Sequence, residues 1–321
     1  MNQDVYVVIE HLQAQLADIT YLMHAAARPL ANTLGGKVVG VLLGHGAQDL
    51  ASNLAADTVL YVDRPELAEF TPDAYAAVLA GVISDRAPRV VLLGHSSVGA
   101  EVASLLSARL GLPLIGSCQR FSDQGNPISQ FCGGKIMAEL ELPAATTLIT
   151  LTPGGYRPEQ GRAAKSAEVT AIEAPALEEP RVSLRRYIEP ERGDTDIAKQ
   201  AVLISVGRAI QNEANIALAE ELAQALGGAV SASRPVVDQG WLPTSRLVGK
   251  SGKHVKPKLY LALGISGAPE HVEAITDSET IIAVNQDPAA PIFDVAKYGV
   301  AMDMFDLIEM LAKRLKEAAV A

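Results

Sequence analysis

"LYLALGISGAPEHVEAI", residues 259–275, decides how the rest of the chain is read. An apolar run over 259–263 stops at Gly264, Ser266 and Gly267 make a turn, and an apolar-periodic segment resumes after His271. Strand, glycine turn and helix in that order are the building unit of parallel α/β folds. Working outward, the alternation repeats. Strands are expected at 201–206, 229–232, 280–284 and 299–302, with helices over 212–226 and 304–318. In the first of these helices Ala214, Leu218, Leu222 and Leu226 read as one apolar stripe facing a sheet. Gly227-Gly228 ends it. A long loop, 236–258, separates the second strand from the third.

The first half carries the same pattern. Strands are expected at 5–9, 37–43, 58–62, 89–93 and 114–117, with helices over 16–34 (interrupted by Pro29), 73–85 and 99–110. From 127 to 152 no helix intervenes, and "CGGKIMAELEL" and "ATTLITLTPG" read as antiparallel hairpin strands on the sheet edge. Residues 153–196 are rich in Pro, Gly and charge, the composition of a linker or wrapping arm. The fold class is α/β with two domains, 1–190 and 191–321, each a mainly parallel sheet with flanking helices.

Composition narrows the function. The chain has 321 residues, 49% hydrophobic and 20% charged, so it can bury two ordinary cores; with 4% aromatics those cores are aliphatic. A net charge of −10 lacks the basic footprint of a nucleic-acid binder. No window of about 18 apolar residues is present, which excludes membrane insertion. Residues 1–4 lead directly into the first strand without a transit or signal pattern, so a cytoplasmic location is expected. Cys118 and Cys132 have no other ligand-type residues nearby and read as reduced thiols.

In open α/β sheets ligands bind outside the carboxyl ends of the strands. In the second half those ends carry Gly207-Arg208, Ser233-Arg234, Gly264-Ile265-Ser266-Gly267, Asn285 and Asp303. Two arginines, a Gly-Ser-Gly turn, an Asn and an Asp suit a ligand with anionic and amide-like groups. The loop "RLVGKSGKHVKPK" (246–258) adds cations and no acid, a means of presenting N–H groups and charge to phosphates. A serine hydrolase does not fit: Gly264-Ile265-Ser266-Gly267-Ala268 misses the nucleophile-elbow spacing, as does "GHSSVG" (94–99). Nor does G-x-G-x-x-G follow a first strand, which counts against a standard dinucleotide dehydrogenase.

The motifs "SVGRAI" (205–210), "SASRPVVDQGWLP" (231–243), "RLVGKSGK" (246–253), "PKLYLALGISGAPEHVEAI" (257–275) and "IIAVNQDPAAPIFDVAKYGVAMDMF" (281–305) together closely resemble the electron transfer flavoprotein α subunit. "SSVGAEVASLLSARLGLPLIGSC" (96–118) resembles that family's N-terminal domain more loosely. The resemblance implies a non-enzymatic electron carrier, a heterodimer with a β subunit. It would accept electrons from a flavoprotein dehydrogenase and pass them to a quinone oxidoreductase or another redox acceptor. It also implies one FAD per α subunit in a Rossmann-like C-terminal domain, and an N-terminal nucleotide-binding-like domain without a cofactor. AMP or a second flavin is left to the β subunit.

Carried onto this sequence, Arg208, Ser233 and Arg234 lie on the FAD. Val248, Gly249, Lys250 and Ser251 form a flavin-side loop, with Ser251 bonded to flavin N5. Ser266, Gly267, Ala268, Pro269, Glu270 and His271 form the turn holding the cofactor, with His271 a donor at the pyrimidine edge. Asn285, Asp303 and Met304 lie toward the adenosine. A one-electron-reduced flavin is stabilised by a guanidinium over its ring, here Arg234, and arginine stacks on planar rings better than lysine. Pro269-Glu270 departs from the family's usual Ile-Gln and sets a carboxylate near the cofactor. Two other classes stand beside this reading: a stand-alone FAD- or NAD-dependent oxidoreductase, and a nucleotide-sensing module built on the first half.

Overall fold

The computed structural model describes residues 2–132, 136–175, 177, 182–187 and 195–320, with side chains as far as residue 315. The chain divides into two compact units, 1–187 and 188–321. The boundary expected near 190 and residues 133–135 of the strand expected over 132–142 fall outside the described residues.

In the first unit, strands β1 (Val5–Val8), β2 (His11–Leu12) and β3 (Gln15–Leu16) precede helix α1 (Asp18–Leu34). Then come β4 (Val38–Gly44), β5 (Thr58–Asp63), α2 (Pro72–Arg86), β6 (Val90–Gly94), α3 (Ser97–Leu110) and β7 (Leu114–Phe121). The unit ends with β8 (Pro127–Phe131), β9 (Ile136–Glu139), β10 (Thr147–Leu151) and β11 (Glu168–Ala171). Nine of these strands form one sheet in the order β11-β5-β4-β1-β6-β10-β7-β8-β9. It is parallel from β11 to β7 and antiparallel through the β7–β8–β9 edge. Alternation along β1 sends Val5 and Val7 toward α1 and Tyr6 and Val8 toward α2 and α3. Helix α3 starts at Ser96, whose hydroxyl oxygen accepts the Gly99 N–H at 2.9 Å, and stops at Gly111, which takes the left-handed conformation.

Three expectations change here. Thr147–Leu151 is not an edge strand; it is buried at all five positions and inserted between β6 and β7, parallel to both. A strand covered on both faces shows no polar alternation to give its place away. Helix α1 runs unbroken through Pro29, which faces solvent while Leu30 and Ala31 hold the helix on the sheet. The stretch read as linker contains β11, which pairs with β5 at the far edge.

The second unit contains β12 (Val202–Val206), α4 (Ile216–Ala225), β13 (Ala229–Ala232), α5 (Arg234–Asp238), β14 (Leu259–Leu263), α6 (Pro269–Val272), β15 (Ile281–Asn285), β16 (Tyr298–Ala301) and α7 (Met304–Val320). Its five strands are all parallel, in the order β13-β12-β14-β15-β16. Ile204, Val206, Leu261 and Leu263 pack under α4 and α7. Leu203, Tyr260 and Ala262 face the other way, beneath Val248, Val255, Ile265, Ile275 and Ile292.

The stripe expected on α4 is only half right. Ile216, Ala219, Leu222 and Ala223 are buried, Ala214 precedes the helix, and Leu218 is 38% exposed. Steps of four residues overshoot the helical turn by about 40° each, so a strict i+4 row rotates away from the sheet. The helix expected after His271 is a single turn that begins before it, at Pro269. Among the described residues no helix is long and apolar enough to cross a membrane.

Candidate functional site

The chain runs from β12 outward to β13, then returns to place β14 on the other side of β12. That reversal opens a crevice at the carboxyl ends of β12 and β14, where open α/β sheets bind ligands. A cleft of about 730 Å³ lies there, within the size range of cofactor sites.

Each wall has a local cause. After β12 the chain turns at Gly207, where a side chain would lie 2.1 Å from the Gly264 carbonyl oxygen, and delivers Arg208 and Ala209. After β13 it enters α5, with Pro235 suiting the first helical turn, and Ser233 and Arg234 face the cleft. The Arg234 Nε donates to Asp238 at 2.8 Å and its Nη1 to the Ser251 hydroxyl at 3.1 Å. Gly249 has φ 146°, a backbone reserved for glycine, which swings Lys250 and Ser251 onto the rim. The Lys250 N–H donates to the Glu270 carbonyl at 2.7 Å. Charged side chains on the wall are Arg208, Arg234, Lys250 and Glu270, three cations to one carboxylate.

His271 sits at the base, 6% exposed. Its Nε2 is 2.8 Å from the Tyr260 hydroxyl and its Nδ1 3.1 Å from the Val248 carbonyl. Burial lowers its pKa to about 4, against the smaller opposing effect of the Val248 carbonyl. His271, expected as a donor at the pyrimidine edge of a flavin, has both ring nitrogens within hydrogen-bonding distance of protein oxygens.

Of the sequence-derived set, Arg208, Ser233, Arg234, Val248, Gly249, Lys250, Ser251, Ser266, Ala268, Glu270, His271 and Asn285 line this cleft. Asp303 and Met304 line an adjoining pocket of about 160 Å³, with Asn285 common to both. The Asn285 amide donates to the Ile265 carbonyl at 2.9 Å, and Asp303 accepts the Phe305 N–H at the start of α7. Gly267 and Pro269 are not on the wall. Gly267, at φ 88°, exists for the chain itself: a Cβ there would lie 2.2 Å from the Ile292 nitrogen, whose N–H donates to the Ser266 carbonyl. Ala209, Pro235, Leu247, Gly264 and Ile265 were missed as wall residues. All five stand inside quoted motifs, and Gly264 and Ile265 also read as a strand end on the ligand edge; Leu247, an apolar loop residue, carries no chemistry of its own to mark it.

Both cysteines are free thiols. Cys118 is buried, which pushes its pKa up to about 12, and Cys132 is exposed. Among the described residues no cluster of His, Cys, Asp and Glu could hold a metal ion.

Residues 5–177 match the electron transfer flavoprotein domain family, and residues 196–276 match the electron transfer flavoprotein FAD-binding domain family. The chain is 35% identical to the electron transfer flavoprotein subunit alpha of Methylophilus methylotrophus, covering 97% of this chain and 98% of that one. It is 34% identical to the acryloyl-CoA reductase electron transfer subunit beta of Anaerotignum propionicum, over 98% of this chain and 96% of the relative. It is 30% identical to subunit LctC of the NAD(+),ferredoxin lactate dehydrogenase of Acetobacterium woodii, over 97% and 76%.

Proposed function

Because the chain belongs to the electron transfer flavoprotein family, among its FAD-binding α-type subunits, we propose that the cleft of the second unit holds one FAD. We propose further that the chain works as the carrier half of a heterodimer with a β-type subunit. The observation that supports this most is the cleft itself, at the strand reversal, with three cations, one carboxylate and glycine-shaped loops around a cofactor-sized volume. When bound, the flavin supplies one-electron chemistry, and the protein supplies orientation and electrostatics.

Arg234 is the cation for the ring, and its guanidinium is already oriented by Asp238 and Ser251. Arg208, Lys250 and the loop at 248–251 suit the anionic portion. Asn285, Asp303 and Met304, in the adjoining pocket, suit the adenosine end. Such a site needs no general acid/base pair. Electrons arrive from a flavoprotein dehydrogenase and leave to a quinone oxidoreductase or another redox partner. AMP or a second flavin belongs to the β subunit. The relatives named as subunits of a reductase and of a dehydrogenase favour a dedicated redox partner over a free-standing oxidoreductase activity.

Co-expression with a β-type subunit tests the reading. The expected product is a yellow heterodimer that releases FAD on denaturation and mediates dehydrogenase-to-dye transfer without a substrate of its own. A stable, colourless chain that takes up no FAD alone or in the complex overturns it.

A further inference from the structure

The protein does not use the charged groups of the cleft alike. Arg234 is paired with Asp238 and bonded to Ser251. Glu270 is held by its backbone alone. Its carbonyl oxygen accepts the Lys250 N–H at 2.7 Å, and Gly249 passes so close that a Cβ there would lie 3.3 Å from the same oxygen. The side chain is exposed, and among the described residues nothing bonds or ion-pairs with its carboxylate. Nor does the fold need the charge. Helix α6 is one turn of four residues, so it has almost no dipole for a carboxylate in that turn to complement.

An unpaired charge on the wall of a redox site acts on the ligand's reduction. A ligand that takes up two electrons and one proton gains one unit of negative charge. Arg208, Arg234 and Lys250 attract that charge, and the Glu270 carboxylate repels it. Part of the Arg234 charge is already balanced by Asp238, which gives the repulsion more weight. A side chain on the cleft wall lies within about one Debye length, ~10 Å at 0.1 M salt, of a ligand filling the cleft, so the effect is not screened out.

We propose that Glu270 sets the reduction potential of this site. Its unpaired carboxylate holds bound FAD at a lower potential than the three cations alone would impose. A more strongly reducing donor is then needed to load the carrier, and the loaded carrier gives up its electrons more readily. The inference rests on the reading that the cleft holds FAD. It makes Glu270 a residue that selects redox partners by their potential.

The test is spectroelectrochemical titration of the co-expressed heterodimer, wild type against Glu270→Gln and Glu270→Asp. Glutamine keeps the side-chain size and the backbone bond to Lys250 and removes the charge; aspartate keeps the charge. Glu270→Gln is expected to favour reduced over oxidised FAD by about three- to ten-fold, a rise of about 15–30 mV for a two-electron couple. Glu270→Asp should stay near the wild-type value. The difference between Glu270→Gln and wild type should shrink in 1 M salt, where the Debye length falls to about 3 Å. A residue that only shapes the rim would give a difference that salt does not touch. An unchanged or lowered potential in Glu270→Gln overturns the proposal, as does an equal rise in Glu270→Asp or a rise that persists undiminished in 1 M salt. Loss of FAD from Glu270→Gln alone would make Glu270 a binding residue and overturns it too. Absence of flavin absorbance from the wild-type sample would instead count against the FAD reading, so the two failures are separable.

Discussion

The Arg234 guanidinium is divided between Asp238, on its own helix, and Ser251, on the loop at the cleft rim. Its side chain is 61% exposed and that of Asp238 55%, so their ion pair adds at most about 1 kcal/mol to stability. What the arrangement provides is direction, because a planar fork bonded at two nitrogens presents a fixed face. A lysine keeps the charge and loses the plane. Arg234→Lys is therefore expected to leave the melting temperature of the FAD-free protein unchanged and to weaken FAD retention by roughly ten-fold or more, read by titration of the released fluorescence. An unaltered dissociation constant would remove Arg234 from the site. Arg234 was legible because it breaks the pattern at a strand end. Tyr260 was not, since within residues 259–263 it reads as one more apolar core position. The partners of His271 are 11 and 23 residues away in sequence, and no local pattern carries a hydrogen bond over that distance.

Among elements, the loops after β14 and after α4 show two uses of glycine. Gly227 follows α4 at φ 66° with open space around its missing side chain. Gly267 combines φ 88° with the Ile292 backbone lying where a Cβ would go. Gly227→Ala should cost only about 1 kcal/mol, the left-handed penalty. Gly267→Ala adds a backbone clash to that penalty and should cost distinctly more, about 2–3 kcal/mol, with loss of the cleft. Urea unfolding of the two variants makes the comparison; equal losses would mean that the 290s loop yields freely. Most strands and helices were legible from period and glycine punctuation. The exceptions have physical causes. β10 was misplaced because a doubly covered strand shows no alternation, and α1 because a proline on the solvent side need not break a helix held by its other face. β11 was hidden in a segment whose composition is that of a loop.

For the molecule as a whole, each unit carries a histidine buried in its neutral form. Burial lowers His24 to about 4 in the first unit, the Thr20 carbonyl opposing, and lowers His271 to about 4 in the second. An unfolded histidine titrates near 6.5, so between these values the unfolded chain binds more protons and stability falls as pH falls. Each histidine is expected to remove on the order of 2 kcal/mol between pH 7 and pH 5. Glu10 in the first unit acts in the opposite sense. Burial raises its pKa, against hydrogen bonds from the Ser96 hydroxyl and the Gly94 N–H. Its contribution is present below the unfolded carboxylate value and is lost as pH rises through the raised one. Unfolding measured from pH 7.5 to 5 should show the decline, and His24→Leu should flatten it for the first unit; an unchanged slope would mean that His24 is protonated in the folded state. The order of the nine-stranded sheet also governs how the protein is made. Strand β7 leaves the ribosome before β10, the strand that must separate it from β6, and β5 keeps an open edge until residues 168–171 emerge. A nascent chain that has reached residue 146 thus holds two unpaired strand edges, those of β6 and β7, with a vacant slot between them. Such long-range parallel closure is slow and exposed to aggregation. The segment that composition marks as a linker is the one whose synthesis completes the first unit.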